Sequence, residues 1–388
     1  MMTKPKIIIF INSLSSGGAE RVVSHLLWNL KDDFEIHLAV YCKIIDFEIP
    51  SEVKIFDLKQ SITANDFIVF LKIPLLAHKI HRYCKKNNIH TSVAFLNRPC
   101  YINAVMRYLF GFKGRIVMCQ RTHQTSLLSI KSQLYRAISK TLVRFAYKRA
   151  DLVLANSYVM KADLVDNFKI TTPIRVIHNP INLGHIKKMS DMPVLFSFSK
   201  DIFYFVSVGG FRKEKNIALM IEAFFRLRHL PVQLLLIGAG TQELYLKEKT
   251  SALNLDAKIT FIGFDSNPYK YVKKCDCFVL SSFVEGFPNV LLEALALEKP
   301  VISTDCKSGP REILAPGTDI HYETTTNIEI AEYGVLTPPN DVVMLAAAMI
   351  KMYEDKALRE QYISRGLNKA REFDVEEIKQ FFHVAFSH

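Results

Sequence analysis

Glu285-Gly286-Phe287-Pro288-Asn289-Val290-Leu291-Leu292-Glu293 follows closely on an apolar run, Asp276-Cys277-Phe278-Val279-Leu280-Ser281-Ser282. The run reads as a buried strand. Gly286 and Pro288 end it, and Pro288 is placed to open a helix, where its missing N–H costs nothing. The free N–H groups around Phe287 and Asn289 then point at a ligand with the helix dipole behind them. That is an anion site suited to a diphosphate. Glu285 lies just before the helix and Glu293 within it. Carboxylates would repel a phosphate, so they suit hydroxyl groups such as those of a ribose and a sugar. The stretch is drawn for a nucleotide sugar.

Outward from this stretch, short apolar strands alternate with amphipathic segments, as α/β folds with doubly wound parallel sheets require. In the first half the expected strands are Lys6–Asn12, Glu35–Tyr41, Val53–Leu58, Thr91–Leu96, Arg115–Arg121, Asp151–Ser157 and Arg175–His178. In the second they are Phe203–Gly209, Val232–Gly238, Ile259–Phe264, Asp276–Ser282, Pro300–Asp305 and Gly334–Pro338. Asn179 to Lys200 is polar and irregular, which places a linker there and a boundary near residues 185–200. Two Rossmann-like domains are expected, over 1–190 and 200–370, followed by a terminal helical segment over 371–388. In that segment Phe373, Ile378, Phe381, Phe382 and Ala385 fall at near-helical spacing.

The chain's 388 residues exceed one ordinary core and suit two domains of about 190 residues. No apolar run approaches the roughly 20 residues that span a bilayer. Ile7-Ile8-Ile9-Phe10-Ile11 is too short for a signal-peptide core and reads as a first strand. Seven cysteines without a Cys-x-x-Cys pair fit a reducing cytosol better than a disulfide framework, and no metal site is expected. The net charge of +12 is uneven: Phe67 to Ala150 holds sixteen Lys and Arg and no Asp or Glu. Such asymmetry implies a polyanionic partner. Nothing resembles a nucleic-acid-binding motif, and apolar residues interleave with the basic ones. The anionic membrane surface is therefore favoured. Phe67 to Lys86 and Ser126 to Arg149 read as basic amphipathic helices able to lie on it.

Three further segments carry chemistry. Ser13-Leu14-Ser15-Ser16-Gly17-Gly18-Ala19-Glu20-Arg21 joins the first strand to a helix. Gly17 and Gly18 allow positive φ and close backbone approach at its start. The pattern is not Gly-x-Gly-x-x-Gly, which disfavours NAD. In Val208-Gly209-Gly210-Phe211-Arg212-Lys213-Glu214-Lys215-Asn216, basic residues stand where a leaving diphosphate needs cations. His123 lies just past a strand end, where α/β sheets place ligands. No Asp-x-Asp occurs anywhere, in agreement with a diphosphate held by cationic side chains and helix N-termini.

With Phe261-Ile262-Gly263-Phe264, these segments in this order resemble the retaining glycosyltransferases of family 4, over nearly the whole chain. The resemblance implies the GT-B architecture, two Rossmann-like domains facing across a cleft, with the terminal helix crossing back to the first. It implies an N-terminal acceptor-binding domain and a C-terminal nucleotide-sugar domain. Lys215 matches the family's lysine. The family's arginine is replaced by Gly210, and Arg212 stands two residues later. Lys215, Glu285, His123 and Arg212 are the expected catalytic group, with Gly17, Gly18, Gly210, Phe287, Asn289, Val290 and Glu293 binding the donor.

The implied reaction moves a hexose or N-acetylhexosamine from a UDP-sugar to a lipid-diphosphate-linked glycan, for a surface polysaccharide or lipopolysaccharide. No metal and no other cofactor is expected, and the place is the inner face of the cytoplasmic membrane. A retaining dyad of carboxylates stands about 5 Å apart. Were 285–293 helical, Glu285 and Glu293 would be about 12 Å apart, so the resemblance implies front-face displacement instead. A nucleotide-sugar epimerase or a phosphorylase on the same fold, and a non-catalytic membrane-surface scaffold, are the rival readings.

Overall fold

The computed structural model describes residues 4–15, 17–61, 66–129 and 132–387. Ser16, Ile130 and Lys131, which fall in segments singled out above, lie outside the described residues. The chain divides into two units, the first comprising residues up to Pro180 together with Val375–His388, the second Ile181–Asp374.

In the first unit the strands are β1 (Lys6–Ile11), β2 (Glu35–Val40), β3 (Lys54–Asp57), β4 (Thr91–Phe95), β5 (Arg115–Gln120), β6 (Leu152–Ala155) and β7 (Ile174–Val176). They form a parallel sheet in the order β3-β2-β1-β4-β5-β6-β7. The isoleucine-rich start of the chain shows why. Ile7, Ile9 and Ile11 enter one buried cluster and Ile8 and Phe10 the other. A strand apolar on both faces belongs in the middle of a sheet covered by helices on both sides.

The second unit repeats the plan with β8 (Phe203–Val208), β9 (Val232–Ile237), β10 (Ile259–Gly263), β11 (Cys277–Leu280), β12 (Val301–Thr304), β13 (Glu329–Ile330) and β14 (Val335–Thr337). Their order is β10-β9-β8-β11-β12-β14-β13. The two-residue β13 pairs antiparallel with β14, and no apolar run announced it. Both sheets reverse their winding direction once, between β1 and β4 and between β8 and β11. Open α/β sheets bind ligands at such switch points, beyond the carboxyl ends of the strands.

The division falls at Pro180/Ile181, ahead of the expected 185–200. The stretch expected as linker contains a helix, Leu183–Ser190, capped by Asn182 accepting from the His185 N–H at 2.8 Å. Ile186 is buried with the core of the second unit. At the other end, Phe373 accepts a hydrogen bond from the Ile181 N–H. The last helix, Val375–Ser387, then buries Ile378, Phe382, Ala385 and Phe386 in the first unit's core. All seven cysteines are free. Among the described residues no helix is long and apolar enough to cross a membrane.

Candidate functional site

In the second unit the loops after β8 and β11 flank the switch point, so residues far apart in sequence meet there. The Phe283 N–H donates to the Glu214 carbonyl at 3.0 Å, and Ser281 Oγ donates to the Lys215 carbonyl at 3.0 Å. Between these ties, Lys215 Nζ donates to Glu285 Oε1 at 2.6 Å, and Ser282 Oγ donates to the same oxygen at 2.7 Å. The Glu285 side chain is 9% exposed and that of Lys215 20%. A carboxylate so enclosed needs both partners. Lys215 spends one of its three donors on it, and two remain for a ligand.

The helix after β11 is Asn289–Ala296, with Pro288 as its N-cap and no side-chain cap. A proline in that place offers no side-chain acceptor to the first N–H groups of the helix, as the Gly-Phe-Pro-Asn sequence led one to expect. The Phe287 ring is buried against Phe373, 5.5 Å between centroids. The loop after β12 presses on this turn. Gly309 has φ 96°, and a Cβ there would stand 2.4 Å from Pro288 Cδ and 2.9 Å from Phe287 Cα, so only glycine fits. Ser308 Oγ donates to the Gly286 carbonyl at 2.5 Å. Glu293, 5% exposed, accepts from the Tyr269 hydroxyl at 3.3 Å. Because the helix begins only at Asn289, the helical separation assumed for the two glutamates does not apply. What distinguishes them is their company: Lys215 and Ser282 for Glu285, Tyr269 for Glu293.

Arg212 is 60% exposed along its side chain and pairs with Glu214 at 3.1 Å. Its Nε lies 3.5 Å from where a Cβ on Gly210 would be. The guanidinium thus folds back over Gly210 and covers the start of the path a side chain there would take.

Gly17, Gly18 and His123 belong to the first unit. The helix Gly18–Leu30 starts where expected, but Gly17 has φ −107° and needs no glycine-only conformation. Its service is steric: Glu20 curls back so that Oε2 would be 2.0 Å from a Gly17 Cβ, while at Gly18 the corresponding space is open. The Glu20 carboxylate itself serves this helix N-terminus, a favourable place for a negative charge.

His123 follows β5 and is 5% exposed. The Ser126 N–H donates to Nδ1 at 3.2 Å, which leaves the neutral ring's proton on Nε2. Nε2 stands 3.8 Å from Asp163. Asp163 also accepts from the Thr125 N–H at 3.1 Å and from Asn167 Nδ2 at 2.8 Å. Sequence reasoning missed Asp163, Tyr269 and Ser282. Only Ser282 left a signal, a hydroxyl three residues before Glu285.

Residues 16–185 match the family described as Glycosyltransferase Family 4, and residues 195–369 match Glycosyl transferases group 1. The chain is 38% identical over 377 residues to the N-acetylgalactosamine-N,N'-diacetylbacillosaminyl-diphospho-undecaprenol 4-alpha-N-acetylgalactosaminyltransferase of Campylobacter jejuni, covering 96% of this chain and 97% of that one. Among solved structures, sucrose-phosphate synthase from Thermosynechococcus elongatus has the same fold, with a TM-score of 0.82 at 18% identity, covering 99% of this chain and 98% of that one. HepE from Anabaena, solved in complex with UDP and glucose, has a TM-score of 0.73 at 18% identity, covering 99% of each chain.

Proposed function

The chain belongs to glycosyltransferase family 4 and is a glycosyltransferase; from that premise we propose that it moves an N-acetylhexosamine or hexose from a UDP-sugar to a lipid-diphosphate-linked glycan, with retention and without a metal ion. The observation that carries this reading is the Lys215–Glu285 pair beside the uncapped start of helix Asn289–Ala296. Cation, helix N-terminus and two carboxylates stand at one switch point of the second unit. The C. jejuni relative is named for N-acetylgalactosaminyl transfer to a diphospho-undecaprenol-linked saccharide, which supports the sugar class and the acceptor. The UDP bound in HepE supports the nucleotide.

In this reading the diphosphate lies against the N–H groups of Asn289 and Val290 and takes the spare donors of Lys215. Glu293 accepts from the ribose hydroxyls and Glu285 from the donor sugar. The bond from the sugar C1 to the β-phosphate oxygen breaks, and a bond from the acceptor hydroxyl oxygen to C1 forms on the same face. The acceptor proton passes to the departing phosphate oxygen, so that UDP leaves. Charge growing on that oxygen is met by Lys215 and the helix dipole, stabilisation that is largest as the bond breaks. His123, held by Ser126 and Asp163 in the first unit, orients the acceptor. Arg212, over Gly210, replaces the family's arginine.

Attachment at the inner face of the cytoplasmic membrane is part of the same proposal. Helices Asp66–Asn87, Asn97–Phe110 and Gln133–Tyr147 pack side by side in the first unit. They expose Leu71, Leu75, Tyr108, Leu109, Leu134 and Ile138, and Lys72, Lys79, Arg82 and Arg136 are exposed among them. Apolar residues set in basic surroundings suit an anionic bilayer.

Incubation with a panel of nucleotide sugars and a native lipid extract tests the reading. Transfer from a UDP-sugar that survives EDTA is expected. Activity lost in EDTA and restored by manganese contradicts the metal-free site, and transfer from no UDP-sugar contradicts the donor.

A further inference from the structure

The first unit holds a cluster of polar atoms that the reaction above does not use. Arg121 directly follows β5 and is 8% exposed. Its Nη1 donates to Asn179 Oδ1 at 2.6 Å, but Nε and Nη2 are buried without a hydrogen-bond partner. Asn156, directly after β6, donates from Nδ2 to the same Asn179 oxygen at 3.3 Å, and its own Oδ1 is buried without a partner. Asn12, directly after β1, also has an unsatisfied buried Oδ1. These atoms stand at the carboxyl ends of β1, β5 and β6, on the same edge of the sheet as the switch point between β1 and β4.

No carboxylate forms an ion pair with Arg121 among the described residues. The ionisable group that acts on it is the Cys119 thiol, whose pKa burial pushes up to about 12, so it is neutral near pH 7. Burying an uncompensated charge costs several kcal/mol, and a molecule keeps one where a ligand completes it. The guanidinium lies over the Phe95 ring, 4.8 Å from its centroid, and Phe95 is the last residue of β4. The next residue, Leu96, is the N-cap of helix Asn97–Phe110 with a positive φ of 72° and no side-chain cap. The first turn of that helix contains no acidic residue and does contain Arg98, the reverse of what a helix dipole favours. A helix start without a side-chain cap from its N-cap residue and a buried guanidinium with two unmet donors both call for an anion. The unmet carbonyl oxygen of Asn156, tied to Arg121 through Asn179, calls for a hydroxyl donor beside it.

We propose that Arg121, Asn156 and the start of helix Asn97–Phe110 form a second oxyanion site, which takes the phosphate of a glycosyl phosphate or diphosphate on the acceptor side. The site rests on the transferase reading for its role, but its existence is tested by binding alone. Phosphate oxygens accept from Arg121 Nε and Nη2, and the attached sugar's hydroxyls donate to Asn156 Oδ1.

The test is calorimetric titration of the full chain with inorganic pyrophosphate, with and without saturating UDP. The wild type is expected to bind pyrophosphate even when UDP fills the donor site. Arg121→Gln should bind it about a hundredfold more weakly or worse, the loss of two charged hydrogen bonds, with UDP affinity unchanged. Asn156→Asp, which sets a carboxylate beside the guanidinium, should abolish pyrophosphate binding and raise the Tm. Two outcomes overturn the proposal. In one, UDP displaces all the pyrophosphate, so that the donor site is its only place. In the other, Asn156→Asp or a folded Arg121→Gln binds as the wild type does. Pyrophosphate binding without any sugar transfer would leave this site standing and reject the transferase assignment of donor and acceptor.

Discussion

Glu293 and Lys215 carry the sharpest single-residue consequences. On the proposed reading Glu293→Ala removes an acceptor for ribose hydroxyls, and UDP affinity should fall by about 1.5–3 kcal/mol, roughly 10- to 150-fold. Calorimetry checks it, and unchanged affinity would show that Glu293 does not hold the ribose. Lys215→Ala acts on the transition state more than on the bound donor, so kcat should fall by more than KM rises. It also strands Glu285, whose carboxylate keeps only Ser282, so the thermal midpoint of the second unit should drop as well. A variant that changes KM alone would mean that Lys215 binds the diphosphate equally before and during reaction. The expectation for Glu285 came from the strand–Gly–Pro–helix order, and that for Lys215 from the basic segment after Gly210 and its match to the family's lysine. Their mutual ion pair was not foreseen, because seventy positions separate them and only the sheet order β8-β11 brings them together.

At the level of elements, apolar runs were reliable and polar ones were not. Buried strands such as Ile7–Ile11 and Cys277–Leu280 are marked by side chains that have no other place to go. The two-residue β13 is half-exposed and owes its pairing to the neighbouring β14. Helix Leu183–Ser190 was read as linker because its apolar face rests on few residues, Ile186 chief among them. Asn182, its cap, was the overlooked signal. Gly17 and Gly18 at the start of helix Gly18–Leu30 were read for their backbone freedom, yet Gly17 matters for the space that Glu20 fills, while the space at Gly18 is open. Helix Asp66–Asn87 supports the membrane proposal most directly. Lys72, Lys79, Arg82 and Lys86 are exposed on it, whereas Arg144 of the other basic helix already donates to the Phe168 carbonyl at 2.9 Å. Reversing those four charges to Glu should abolish sedimentation with anionic vesicles, since each contributes about 1 kcal/mol. Nucleotide binding in the second unit should be untouched. Wild-type protein that stays in the supernatant at low salt would contradict the membrane reading.

Across the whole molecule, the chain enters the second unit at Ile181 and returns to the first at Val375. The last helix is therefore part of the first unit's core, and Phe382 is fully buried in it. Phe382→Ala should cost the first unit about 3–5 kcal/mol. Scanning calorimetry should show the first unit's transition at lower temperature and the second unit's where it was. A uniform shift of both would mean that the two units unfold as one. The central claim is that the Lys215–Glu285 pair and helix Asn289–Ala296 drive transfer with retention at a metal-free site. Its most direct test is the anomeric configuration of the glycan made from an α-linked UDP-sugar, read by NMR of the product formed in EDTA. The account predicts an α-linked product from the wild type and none from Glu285→Gln. A β-linked product, or undiminished transfer by Glu285→Gln, would contradict it.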